Sequence, residues 1–134
     1  MAAPVKAGIG YGGVVFIVGF MLGAIRVLIV VPRVGAALAV TFEAPIMLAV
    51  SWRVSLWAAQ RFGAPPTVWD RALMGSVAFA VLMIAEFGVA IFLFGRSIEE
   101  IFAGYHTTAG AIGLAAQIAF AVMPLLQIGR APRA

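Results

Sequence analysis

Apolar residues in this chain run in four long blocks, and most of the polar residues fall between them. The blocks cover about 9–31, 34–57, 68–94 and 108–128. Each reaches the roughly 20 residues that a helix rising 1.5 Å per residue needs to cross a hydrocarbon layer about 30 Å thick. The runs are continuous rather than alternating, so they predict helices and not barrel strands. The connections carry their own signals. Pro32-Arg33 reads as a tight turn, which makes the first two spans antiparallel neighbours. Arg61 to Thr67 is a Pro/Gly loop, with Thr67 placed to cap span three and Asp70 in its first turn. Between spans three and four, Ile98, Ile101, Phe102 and Tyr105 fall at helical spacing against Glu99, Glu100 and Gly104. With Ser97 and Glu100 as a capping box, this stretch predicts a short interfacial helix. The pattern as a whole predicts one all-α integral membrane domain over 1–134, a four-transmembrane-helix bundle.

Composition agrees with that reading. Hydrophobic residues make up 64% of the 134 and charged residues only 10%, against roughly 25% charged in a soluble domain. The net charge of +4 arises from basic residues that mostly bracket the apolar blocks, so anionic lipid headgroups are the expected partners and nucleic acid is not. The first block is too long for a signal-peptide core, and three more spans follow it, so it reads as a retained helix. Lys6, Arg53, Arg61, Arg71, Arg130 and Arg133 lie on one side of the predicted bundle, and Arg33, Arg96 and the embedded Arg26 on the other. That asymmetry predicts both termini in the cytoplasm of a bacterial inner membrane. Trp52, Trp57 and Trp69 gather on the same side, as an aromatic belt does.

Ionisable side chains inside a span are costly, and each needs a reason. Arg26, Glu43 and Glu86 lie roughly 8, 14 and 12 Å below the outer ends of their helices at 1.5 Å per residue, and Gln117 roughly 14 Å. All four spans thus place one strongly polar group in the same outer-half layer. Helical spacing puts each on a face suited to helix contact. Gly19 and Gly23 share a stripe with Arg26, and Gly110 and Gly113 share one with Gln117. The expectation is one inward cluster of Arg26, Glu43, Glu86 and Gln117, with the four glycines packing helices. One arginine cannot neutralise two carboxylates, so one Glu should pair with Arg26 and the other stay neutral near pH 7. The residues leave open which is which. Pro45 also frees the carbonyl of Thr41, one turn from Glu43. Such a cluster serves as a structural staple, as a proton- or solute-handling site, or as a contact for a partner subunit.

Other candidates point to structure. Ser51 and Ser55 are expected to bond back to their own helix. His106 reads as an interfacial polar group. The glycine-rich run at 8–13 lacks the preceding strand and the GK[ST] of a phosphate loop, and predicts close helix packing. The inventory also excludes chemistry. There is no cysteine for thiol catalysis and no histidine pair for a membrane haem, and the single Asp stands at a helix start. No catalytic residue, metal ligand set or cofactor is expected. Small multidrug resistance transporters share the size and span number but carry their essential Glu in span one, where this chain has Arg26. Gly23-Ala24-Ile25-Arg26 is faintly similar to the first helix of fluoride channels, which depend on a membrane Asn absent here. The segments 22–26, 32–33, 43–48, 51–52 and 85–86 together resemble small four-span proteobacterial membrane proteins; that resemblance implies the membrane fold and no particular activity. The expected function is a non-enzymatic accessory or ligand- and lipid-binding membrane module, alone or in a larger complex. The alternative is a proton- or anion-coupled transporter or channel, which four helices could form only as a homo-oligomer.

Overall fold

The computed structural model describes residues 2–130 and contains four helices long and apolar enough to cross a membrane: α1 (Ala3–Val34), α2 (Ala36–Phe62), α3 (Val68–Leu93) and α5 (Thr108–Leu126). A short helix, α4 (Ile98–Gly104), joins the last two. The described residues contain no strand. Each long helix packs on two others: α1 lies against α2 and α3, and α5 lies against the same two. The result is a four-cornered, all-α bundle. The outward faces are apolar, with Ile17, Met21, Leu28, Ile84 and Phe92 among the exposed side chains. Such a surface is stable in hydrocarbon and not in water.

Local chemistry sets the helix ends. Pro4 occupies the first turn of α1, where its missing N–H is no loss. Thr67 caps α3 by accepting from the Asp70 N–H at 3.1 Å, and its hydroxyl also donates to the Asp70 carboxylate. Ser97 and Glu100 form the expected capping box at the start of α4. At the end of α2, Gly63 adopts a left-handed conformation (φ +71°), and Ala64 N–H reaches back to the Ala59 carbonyl. This closes the helix as glycine C-caps do.

The first turn differs from the sequence expectation. Helix α1 continues through Pro32-Arg33, and the chain reverses at Gly35, whose φ of +86° suits glycine alone. Proline is tolerated because the preceding turn, Arg26–Val30, is wound as a π-helix in which Val31 N–H bonds to the Arg26 carbonyl. Pro32 then sits in the first turn of the resumed α-helix. A second π segment, Val89–Leu93, ends α3. Both π segments lie at the end of the bundle that carries the Gly35 turn and α4, called here the hairpin end. The opposite end, which holds the start of α1 and the α2–α3 loop, is the terminal end.

The core occupies the terminal half. Ala7, Tyr11, Val15, Ala58, Ala59, Met74, Ala78, Leu82 and Phe120 are buried together there. Small residues permit close approach. A Cβ on Gly8 would strike the Met74 carbonyl and Val77, one on Gly12 the Ala78 carbonyl, and one on Gly75 the Ala121 carbonyl. The glycine-rich run of α1 is thus a helix-packing surface, as its composition suggested. Tyr11 crosses the bundle diagonally, stacking on Phe120 at 4.2 Å between ring centroids and donating its hydroxyl to the Phe120 carbonyl at 2.7 Å. That carbonyl is available because Pro124, one turn on, has no N–H to offer it.

A buried polar layer also lies in the terminal half. Ser55 donates to Gln127 Oε1 at 2.7 Å, and Gln127 Nε2 donates to the Trp52 carbonyl at 2.8 Å. Ser55 therefore bonds across to the end of α5, not back to its own helix; the buried amide of Gln127 outcompetes a local carbonyl. Arg71, counted from sequence among the lipid-facing charges, is only 2% exposed. Its guanidinium donates to the carbonyls of Pro65 and Pro124, tying the α2–α3 loop to α5. Lys6, Arg53 and Arg61 are exposed at this end as expected; Arg133 lies outside the described residues.

Candidate functional site

Above the core the helices part. A cleft of about 760 Å³ runs through the hairpin half and is lined by all four spans. Its floor is Val15, Leu48, Ser51 and Phe120, which belong to or border the core. The outer turns of α1 stay against α2, whereas Val89–Leu93 of α3 packs closely on no other span. The cleft separates these two outer ends, with Val27, Leu28 and Val31 on one wall and Val89, Ala90 and Phe94 on the other.

Arg26, Glu43, Glu86 and Gln117 all line this cleft. They meet as two pairs on opposite sides of the bundle, one between α1 and α2 and one between α3 and α5. Arg26 Nη1 of α1 lies 3.1 Å from Glu43 Oε2 of α2, with side chains 31% and 15% exposed. Gln117 Nε2 of α5 lies 2.7 Å from each oxygen of Glu86 of α3. A carboxylate on one helix thus faces a polar group of the next helix in both pairs, as an ion pair at Glu43 and as a hydrogen bond at Glu86. The Glu that partners Arg26 is Glu43, while Glu86 is held by an amide.

The expected packing glycines have different surroundings. Gly19 meets only the Met47 methyl, at 3.4 Å, and Gly23 only the Arg26 guanidinium. Gly113 has nothing within 4 Å of where a Cβ would stand. Gly110 is crowded, but by the carbonyl of Gly104 at the end of α4 rather than by a neighbouring span. All four line the cleft. Small residues here widen a space, and the close helix contacts belong to Gly8, Gly12 and Gly75.

Two residues outside the expected set complete the site. Arg96, just past α3, folds back so that its Nη2 donates to the Glu100 carbonyl at 3.3 Å. Tyr105, between α4 and α5, reaches Met83 with its hydroxyl. Both line the main cleft, and both line a side pocket of about 220 Å³ that also touches Glu86. Burial and the Glu86 carboxylate hold the Tyr105 phenol above its ordinary range, and Arg96 acts in the opposite sense. No sequence signal separated these two from ordinary interfacial residues, because the backbone reversal at Gly95 (φ +64°) is what brings them back over the cleft.

The arrangement can hold a molecule with both polar and apolar parts. Its walls are mostly aliphatic and aromatic, and its polar groups are few and convergent, which is the composition of small-molecule sites in general. Among the described residues no three His, Asp or Glu side chains come close enough to hold a metal ion. Compared with protein-family models, curated proteins and solved structures, the chain matches none.

Proposed function

We propose that this protein is a non-enzymatic membrane module that holds one amphiphilic molecule, a lipid in the first instance, in the cleft between its spans. The observation that carries the reading is the joint placement of the Arg26–Glu43 and Glu86–Gln117 pairs on the walls of one cleft of about 760 Å³. A pure register staple needs the pairs sealed in packed core, where a buried ion pair fixes helix positions. Here Arg26 keeps 31% of its side chain exposed, and the packed core lies elsewhere, in the terminal half. The proposed setting is a bacterial inner membrane with both termini cytoplasmic. Exposed Lys6, Arg53 and Arg61 at the terminal end, together with exposed Trp57 and Trp69, support that orientation. The cleft then lies in the outer leaflet.

Native mass spectrometry of protein extracted in a mild detergent tests the reading. One lipid-mass adduct per chain is expected. It should be lost in Gly113→Leu, which extends a side chain into the cleft from a position with open space around it. An adduct retained in that variant, or none in the wild type, would refute the proposal. The same spectra identify any co-purifying chain and so report on a role as an accessory subunit.

A second reading is a proton- or anion-coupled carrier assembled as a homo-oligomer. It is favoured by a cleft that carries ionisable groups and closes at one end on a packed core. It requires pH-driven flux in proteoliposomes that Glu43→Gln or Glu86→Gln abolishes without loss of folding.

A further inference from the structure

The two acidic side chains of the cleft are not equivalent. Glu43 faces a guanidinium at 3.1 Å, an ion pair in which its Oε2 accepts no hydrogen bond among the described residues. Glu86 has no basic side chain within ion-pair distance among the described residues, and both of its oxygens share one donor, the Gln117 amide nitrogen. The other end of that amide is also unmatched: Gln117 Oε1 is buried and has no hydrogen-bond donor among the described residues. Three acceptor oxygens therefore gather on one wall against a single NH₂ group. Buried acceptors are rarely left so, since each lost partner is costly. This wall is short of N–H donors, and the Arg26 charge that reaches Glu86 through space lies beyond ion-pair distance.

The charge is opposite at the mouth. Arg96 is exposed and donates to a backbone carbonyl, that of Glu100, not to a carboxylate. The side pocket of about 220 Å³ joins it to Glu86 past Tyr105, and Tyr105 senses both charges. A negative wall inside and a guanidinium at the rim share one space.

Resting on the reading of the cleft as a lipid site, we propose that its ligand is a zwitterionic aminophospholipid. Its primary ammonium meets Glu86, its phosphate meets Arg96, and its chains lie along the apolar walls. A primary ammonium carries three N–H donors and a positive charge, which the acceptor wall lacks. A choline headgroup has the charge but no N–H. A glycerol headgroup has neither, and leaves the Glu86 carboxylate without a counter-charge.

The test compares phosphatidylethanolamine, phosphatidylcholine and phosphatidylglycerol with identical acyl chains. Each competes for delipidated wild-type protein in native mass spectrometry, and each is added in thermal unfolding of the same protein. Phosphatidylethanolamine should bind about tenfold more tightly than either competitor, the loss expected when a charge-assisted hydrogen bond is removed. In Glu86→Gln that preference should fall to about twofold or less. Equal binding of the three lipids by the wild type, or an undiminished preference in Glu86→Gln, would overturn the headgroup assignment while leaving a lipid site in place. Binding that Gly113→Leu does not reduce would overturn the cleft reading beneath it. The competition on wild-type protein needs no variant to fold.

Discussion

Removing the hydroxyl of Tyr11 tests an interaction that the chain makes because of a proline far away in sequence, beside the contact of the same hydroxyl with Ser51. Pro124 lies inside α5 and offers no N–H to the carbonyl of Phe120, four residues earlier. Tyr11, fully buried, donates to that carbonyl at 2.7 Å. Tyr11→Phe keeps the ring stack on Phe120 and leaves the carbonyl without its donor. A buried group that loses its partner costs about 1–3 kcal/mol, and interhelical hydrogen bonds measured in membranes average about 0.6 with a maximum near 1.7. The tight burial places the expected cost at about 1.5 kcal/mol. In Pro124→Ala the new N–H can bond to Phe120 within the helix. Tyr11→Phe should then cost less than about 0.5 kcal/mol, a coupling of about 1 kcal/mol between residues 11 and 124. Pro124 keeps its own carbonyl in the exchange, so the Arg71 contact at 3.3 Å is retained. The assay is equilibrium unfolding in mixed micelles, with an anionic denaturing detergent titrated into a mild one, for the four proteins of the cycle. Independent sites add to within about 0.3–0.5 kcal/mol. Equal costs of Tyr11→Phe in both backgrounds would refute the idea that the proline creates the acceptor the tyrosine satisfies.

Glycines should divide by location. Gly75→Ala forces a Cβ into the Ala121 carbonyl and is expected to destabilise by about 2 kcal/mol or more, whereas Gly113→Ala, in open space, should be neutral or stabilise by up to about 1 kcal/mol; unfolding in mixed micelles separates them. Glu43→Gln removes the partner of Arg26, and because both side chains keep some exposure the expected loss is about 1–2 kcal/mol, below that of a sealed pair; a cost matching Arg26→Gln and not adding to it in the double variant is the outcome that supports a direct pair. Tyr105 is one of two tyrosines, so tyrosinate absorbance of a Tyr11→Phe protein reports on it alone. Its folded phenol should ionise above the ordinary value of about 10, and Glu86→Gln should bring the titration down by removing the carboxylate that opposes it. The sign for stability follows: the raised phenol contributes fully below about pH 10 and the contribution is lost as pH rises through the folded value. A titration unmoved by Glu86→Gln would mean that residue 86 carries no charge felt at residue 105.

The spans and the capping residues could be read from sequence because each depends on local spacing or composition. Thr67 with Asp70, Ser97 with Glu100, and the apolar blocks need no tertiary information. The turn was displaced from Pro32 to Gly35 because proline is a breaker only where its N–H is required. A single π turn at Arg26–Val30 changed that requirement. Ser55, Gln127 and Arg71 illustrate the opposite limit. A serine in a span has a carbonyl of its own helix within reach, and an arginine near a helix end has headgroups within reach. What diverted them was the arrival of the end of α5 beside α2 and α3, which no window of sequence contains.

The site itself shows why periodicity finds residues but not their use. Placing Arg26, Glu43, Glu86 and Gln117 on inward faces at one depth is compatible with a sealed cluster and with an open cleft, since both put the same side chains toward the bundle axis. The glycines on those faces do not decide it, because a missing side chain either admits a neighbouring backbone or leaves room. Gly8, Gly12 and Gly75 do the first and Gly113 the second, with nothing in their i, i+4 neighbours to tell them apart. The difference comes from the bulky residues between the layers. Tyr11, Met74 and Phe120 fill the terminal half, and Tyr11 is held across the bundle by the carbonyl that Pro124 releases. Among the described residues the buried aromatic side chains are Tyr11 and Phe120, both in that half. The helices meet where the large side chains are interlocked, and above them the four polar groups are left lining a space.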